Sequence, residues 1–365
     1  MGDLFGPDAL EGEPTPRTAD DSFSLRPFAA EIPQSAGVDP HADPSEVPGE
    51  RLFRLALATI GLTTLAMGLT TSYTIWLVLR FAAGVASAWV LVLISNYFVK
   101  ALAQRDRVSA QGWVFSGVGA GIAVTGIVCL AFMLLGVASA PSWLLLGALS
   151  IGITLVLWRS AGDELPAMWE PSRAPAGERT PLQWGSILAY GAAGIGYTIP
   201  ATYLPVMARE IVASPMVFGW SWPIFGLAAF VSTLLVARLQ SSYTNRRIWA
   251  AGHLVMASGL VLPIAAPDVA AIAVAGLCVG GSFMVVTMVG MREAHRIAPQ
   301  PDVMRHIAAM TTAFAAGQVL GPLLASAWFA ASGSLSGALV LTSAILLTSL
   351  LGLLQPASFM QRSSA

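Results

Sequence analysis

Charge is the scarcest property of this 365-residue chain: Asp, Glu, Lys and Arg together make up 11% of it, against about 25% in a soluble globular domain. So few charges cannot cover a water-facing surface, which argues against a soluble enzyme, a coiled coil or a nucleic-acid binder. Lys100 is the single lysine, and it follows Val99. No G-x-x-x-x-G-K-[ST] phosphate loop is therefore present, and an ATP-driven pump would need a separate ATPase subunit. Histidine is nearly as rare. His41, His253, His295 and His306 are scattered, no H-E-x-x-H occurs, and no metal or cofactor is expected. The apolar runs contain no Asp, which excludes an intramembrane aspartyl protease, and no strand–turn–helix carries G-x-S-x-G for a serine hydrolase. Cys129 and Cys278 both fall in apolar stretches. They read as small buried hydrophobes and build no disulfide or metal framework.

Apolar residues are what the chain has in excess. By the AVILMFWYC count it is 55% hydrophobic, and it holds 35 Gly; together these reach roughly 65%, against about 45–50% in soluble domains. A helix crossing a bilayer needs about 20 predominantly apolar residues, because lipid offers no partners to unpaired backbone groups. Ten stretches meet that need: 52–71, 74–98, 112–136, 142–158, 184–207, 217–237, 248–266, 269–291, 306–331 and 335–355. Each is apolar all round and does not alternate, which disfavours a β-barrel. The fold class expected is all-α, a polytopic helical membrane protein.

The loops carry their charge unevenly. Those at 99–111, 159–183, 238–247 and 292–305 hold three Lys/Arg each, while the intervening loops hold only Arg209. This strict alternation of twelve against one places the basic loops and both termini in the cytoplasm. Residues 1–50 differ from the rest, with eleven acids, two Arg and eight of the 23 Pro. Such a segment cannot bury enough surface to offset its ordering entropy and reads as a disordered acidic tail. The expected organisation is this tail, four helices over 51–158, a cytoplasmic linker at 159–183, six helices over 184–355 and a cytoplasmic tail at 356–365.

Small residues recur between the two groups of helices. Gly84 in the second span has a counterpart, Gly280, in the eighth. In the third span Gly117 and Gly121 form a G-x-x-x-G that returns as Gly317 and Gly321 in the ninth. Small residues at that spacing let membrane helices approach closely, and a common offset of six spans implies a six-helix repeat. Four spans precede the linker and six follow it.

Polar groups inside the spans are few. Arg80 is the one charge well inside a span, about 9 Å past its outer start; an unpaired guanidinium there is costly and generally functional, the alternative being that it snorkels to the outer interface. Arg292 and Glu293 at the end of the eighth span read as a solvated interface pair. The fifth span, Tyr190 to Pro205, contains Gly191, Gly194, Gly196, Pro200 and Pro205, which a membrane helix tolerates where it lines a cavity. Tyr190, Tyr197, Thr198 and Tyr203 could present hydroxyls to that cavity, and Gln318 is a further mid-membrane polar group. Trp89, Asn96, Ser282 and Thr287 are lesser candidates. Gly84, Gly117, Gly121, Gly194, Gly196, Gly317 and Gly321 are the expected helix-packing positions.

These segments resemble a known family. Arg80-Phe81-Ala82-Ala83-Gly84 resembles the R-F-x-x-G motif of the fourth helix in the major facilitator superfamily. The runs at 190–205, 280–294 and 317–322 are similar to its YbfB/YjiJ branch. Members are twelve-helix secondary transporters built from two six-helix halves. The resemblance implies that Arg80 occupies the position linked to proton coupling in many relatives, and that the polar face of the fifth span borders the central cavity. Nothing before Arg51 matches the first two helices of that fold, so the N-terminal half reads as an incomplete, four-helix remnant. The function expected is secondary active transport of a small solute, proton-coupled and by alternating access; the alternative is a truncated, non-transporting membrane protein or scaffold. The partners expected are the solute, protons and the lipid bilayer, with no nucleic acid, for a monomeric chain. One Lys against eighteen Arg points to a GC-rich bacterial genome and hence to the plasma (inner) membrane.

Overall fold

The computed structural model describes residues 49–104, 110–160, 180–211, 219–239 and 242–354. The acidic tail before residue 49, most of the expected linker and the C-terminal tail lie outside these residues. Among those described, every regular element is a helix, and ten helices follow the ten apolar stretches. They are α1 (Gly49–Met67), α2 (Tyr73–Gln104), α3 (Gln111–Leu134), α4 (Ser139–Ser160), α5 (Trp184–Ile211), α6 (Ser221–Leu239), α7 (Asn245–Ala265), α8 (Val269–Ile297), α9 (Gln300–Ser332) and α10 (Ser336–Leu354). Eight are long and apolar enough on their own to cross a membrane. The other two are α1, which carries Glu50, Arg51 and Arg54 within its 19 residues, and α5, diluted by Gly, Pro and Tyr.

Three helices overrun their apolar stretches at the arginine-rich end. α2 continues to Gln104, α8 to Ile297, and α9 starts at Gln300. Hydropathy marks where lipid ends, whereas backbone hydrogen bonding continues as long as the chain is solvated or capped. The caps are local. The Thr244 side chain accepts from the Arg247 amide to start α7, and Asp268 accepts from the Ala271 amide at 2.7 Å to start α8. Gly333, at φ 70°, closes α9 in the left-handed conformation that suits glycine.

α8 is the axis of the C-terminal six helices. It packs against α5, α6 and α7; α9 and α10 complete the ring against α5, and α10 also packs on α7. Its enclosed side holds Val279, Val286, Met288, Val289 and Met291, all fully buried. Among the first four helices, α1 packs on both α2 and α4, and Trp76 ties the α1–α2 turn by donating to the carbonyls of Met67 and Thr70 at 3.1 and 2.9 Å. α3 leaves that group and seats on α6, the most extensive helix pair among the described residues.

The α3–α6 seam is made of glycine, but not of the glycines that the G-x-x-x-G pattern suggests. A Cβ at Gly112 would meet the Thr233 carbonyl at 3.0 Å, one at Gly119 the Gly226 carbonyl at 2.9 Å, and one at Gly126 the Pro223 ring at 2.9 Å. These three lie seven apart, two turns of a helix that keeps one stripe toward its partner. At Gly84, Gly117 and Gly121 a Cβ would meet no atom within 4 Å, so none of the three is a packing contact among the described residues. Gly317 and Gly321, the same pattern in α9, do pack on α5. Gly119→Val should therefore lower stability in detergent by about 1–3 kcal/mol through overpacking. Gly117→Val should stay within about 0.5 kcal/mol, and thermal melting of the two purified variants compares them directly.

Candidate functional site

Arg80 lies on α2, with its side chain exposed, and borders an open pocket of about 400 Å³ lined by α1, α2, α3 and α4. Its guanidinium sits over the Trp143 ring of α4, 4.8 Å from the ring centre. Thr64, Thr125, Ser150 and Thr154 add hydroxyls to a wall otherwise built from leucine and isoleucine. The Thr64, Thr125 and Thr154 hydroxyls donate back into their own helices, to the carbonyls of Ile60, Gly121 and Ser150. Their lone pairs stay available to the cavity. No carboxylate pairs with Arg80 among the described residues. A cation–π contact worth about 0.5–2 kcal/mol uses the face of the guanidinium and leaves its N–H edge, exposed here, open to water or an anion.

The fifth-span candidates form a second group, around α5. Tyr197 stacks on Phe283 of α8 with ring centres 4.7 Å apart, and Phe225 of α6 and Phe314 of α9 close on the same ring at 5.9 and 6.2 Å. Tyr190 is fully buried, edge-on to Trp249 at 5.9 Å and against Phe314 at 5.0 Å. The Tyr203 hydroxyl donates to the carbonyl of Pro322, a proline inside α9, at 3.4 Å. Thr198 donates to the Gly194 carbonyl at 2.8 Å. Gln318 is half-buried beside this seam. Gly194 and Gly317 are what bring the two helices together, since a Cβ at Gly194 would strike the Phe314 carbonyl and one at Gly317 the Gly191 carbonyl. Gly196 faces Met256 and Leu346, and Gly321 faces Ile199. The structure thus gathers Tyr190, Tyr197, Tyr203 and the α5–α9 glycines into one aromatic seam; Arg80 belongs to a separate cavity.

The profile of a family described as "Uncharacterised MFS-type transporter YbfB" matches residues 46–354. The chain belongs to this family of MFS transporters. Its fold is similar to that in the crystal structure of the human organic anion transporter MFSD10 (TETRAN), with a TM-score of 0.62 at 14% identity, over 84% of this chain and 77% of that one. No curated protein matches the sequence. The family and the fold agree with a multi-pass transporter of MFS architecture, and a family of transporters is not one of enzymes.

In this YbfB-type chain the charged end of α8 is not a solvated pair. Glu293 pairs not with Arg292 but with Arg246 of α7, at 2.7 Å, and with Arg296 one turn on, at 2.6 Å, and its side chain is 1% exposed. Arg246 also donates to Gln183, just ahead of α5, at 3.1 Å. Beside this cluster the Thr180 amide donates to Asp302 at 2.6 Å and the Gln183 amide to His306 at 3.1 Å. The strand of chain entering α5 is thereby held to α7, α8 and α9. Apart from Glu293 and Arg296, the cluster joins residues 47 to 123 positions apart, which the sequence does not bring together. The faint signal available was an Arg in each of three loops predicted to share one side of the membrane.

The remaining candidates have plain surroundings. Ser282 and Thr287 donate to the Cys278 and Phe283 carbonyls of their own helix, and Trp89 is exposed. The Asn96 side chain lies outside the described residues. Cys278 is half-buried, but Cys129 is exposed, in a pocket that Trp222 of α6 also lines, contrary to the expectation that both are interior. Among the described residues no three His, Cys, Asp or Glu converge as metal ligands.

Proposed function

We propose that the chain is a secondary transporter that moves a small organic anion across the bacterial plasma membrane by alternating access, with the proton gradient as its driving force. The observation that carries this reading is Arg80, a cation without a carboxylate partner among the described residues, on the wall of a cavity of about 400 Å³. A charge left over in a partly apolar site favours a ligand of opposite sign. Family resemblance adds that Arg80 stands at the position linked to proton coupling in many relatives. That MFSD10 is described as an organic anion transporter agrees in substrate class.

The test is uptake into vesicles reconstituted with the purified chain, under an imposed pH gradient, of a panel of labelled anions, neutral solutes and cations. Accumulation of an anion that collapses with the gradient is the expected result. Uptake confined to neutral or cationic solutes would contradict the anion assignment, and uptake indifferent to the gradient would contradict the coupling. The twelve-to-one charge asymmetry supports both termini lying in the cytoplasm. Reporter fusions at 100–108 and 240–246 should read cytoplasmic and one at 210–214 external; the opposite readings would reverse the orientation.

A further inference from the structure

α6 and α7 are consecutive helices that scarcely touch each other, although both pack on α8. Between them runs a groove of about 540 Å³ floored by Gly281 and walled by Val236, Leu239, Val255 and Val285. It opens on the outside of the bundle. α7 makes no substantial contact with any of the first four helices, and Leu239, Tyr243 and Val255 at the mouth are exposed. One end is polar and bears Tyr243 and Arg247. From Arg247 to Val255 the wall runs about 12 Å along α7, from the arginine-rich end toward the middle of the membrane.

The charges at that end are of one sign. Residues 238–247 contain Arg238, Arg246 and Arg247 and no acid. Arg246 is engaged by Glu293. The Arg247 guanidinium makes no ion pair with the described residues, and no carboxylate lines the groove. An apolar slot open to the bilayer, capped by a free planar cation at headgroup level, has the chemistry of a phosphate with a hydrocarbon chain attached.

We propose that this groove binds one anionic glycerophospholipid, with an acyl chain between α6 and α7 and the phosphate on Arg247. A water-soluble anion would leave the apolar walls unfilled, and a zwitterionic lipid would leave the arginine only partly neutralised. Occupancy would also fill a gap that the helices themselves leave open, so the lipid acts as a packing element of the C-terminal six helices.

Native mass spectrometry of the full chain, delipidated and then titrated with phosphatidylglycerol or phosphatidylcholine, tests the site. The wild type should retain one phosphatidylglycerol in preference to phosphatidylcholine. Arg247→Gln should reduce that preference about fivefold, the contribution of one arginine near a membrane surface. Gly281→Leu should remove the retained lipid, because its side chain would grow into the groove; the nearest atom to a Cβ there is 3.8 Å away. Val255→Phe at the mouth is a second filler if Gly281→Leu lowers the yield of folded protein. Arg238→Gln, outside the groove lining, should change neither quantity. Wild-type lipid retention in both Arg247→Gln and the fillers overturns the proposal, as does displacement of the bound lipid by inorganic phosphate alone.

Discussion

Glu293→Ala is expected to destabilise the protein by about 3–5 kcal/mol, the cost of leaving a buried charge without its partner. The carboxylate is almost fully enclosed, and so is most of Arg246, whose side chain is 14% exposed. Removing Glu293 leaves that largely buried guanidinium without its carboxylate, with the amide of Gln183 as a weaker acceptor, and also frees Asn245 and Arg296. Arg296→Ala should cost under about 1 kcal/mol, because its side chain is 56% exposed and resolvates readily. Glu293→Gln should fall between them, since an amide oxygen still accepts from one arginine. Melting temperatures of the three variants in the same detergent give the order. Equal losses for Glu293→Ala and Arg296→Ala would show that burial does not set the energetics of the cluster.

Arg80→Gln should reduce gradient-driven anion uptake at least about tenfold, the scale of one or two charge-assisted hydrogen bonds. Expression should not change, because Arg80 holds no partner whose loss would leave a buried charge. Arg80→Lys should recover part of the flux, as lysine keeps the charge but not the planar fork. Trp143→Ala separates orientation from charge: it keeps the guanidinium but removes the ring 4.8 Å from it, so affinity should weaken more than maximal rate. Unchanged uptake in both arginine variants would remove Arg80 from the transport cycle.

The helices were legible because lipid imposes one requirement on every residue of a span, and hydropathy records it. Each of the ten apolar stretches has become a helix, and only their watery extensions, such as α8 beyond Met291, escaped. Glycine was half legible. G-x-x-x-G at 317–321 packs on α5, yet the same pattern at 117–121 touches nothing described, and the working stripe on α3 is Gly112, Gly119 and Gly126. Which glycine stripe is used depends on where the partner helix lies, and a one-helix pattern does not contain that. Glu293 shows the same limit for charge. The neighbouring Arg292 was the natural partner in sequence, but successive helical residues point about 100° apart, and the arginine that meets the carboxylate comes from α7. The α5 tyrosines were read as hydroxyls facing a cavity and not as members of an aromatic seam, since Phe225, Phe283 and Phe314 look like ordinary lipid-facing residues until the helices are assembled.

Where α3 meets α6, backbone lies almost against backbone at Gly119 and Gly226, while Gly112 faces Ala237 and Gly126 the ring of Pro223. Such a joint has few teeth. Side chains that interlock must leave one rotamer and enter another before two helices can turn against each other, and each exchange adds friction. Glycine, alanine and the closed ring of proline have no such rotamer to exchange, so a small roll of α3 on α6 would meet little of this friction. The resistance to any larger turn then resides in the aromatic and ionic contacts of the surrounding helices rather than in the seam itself.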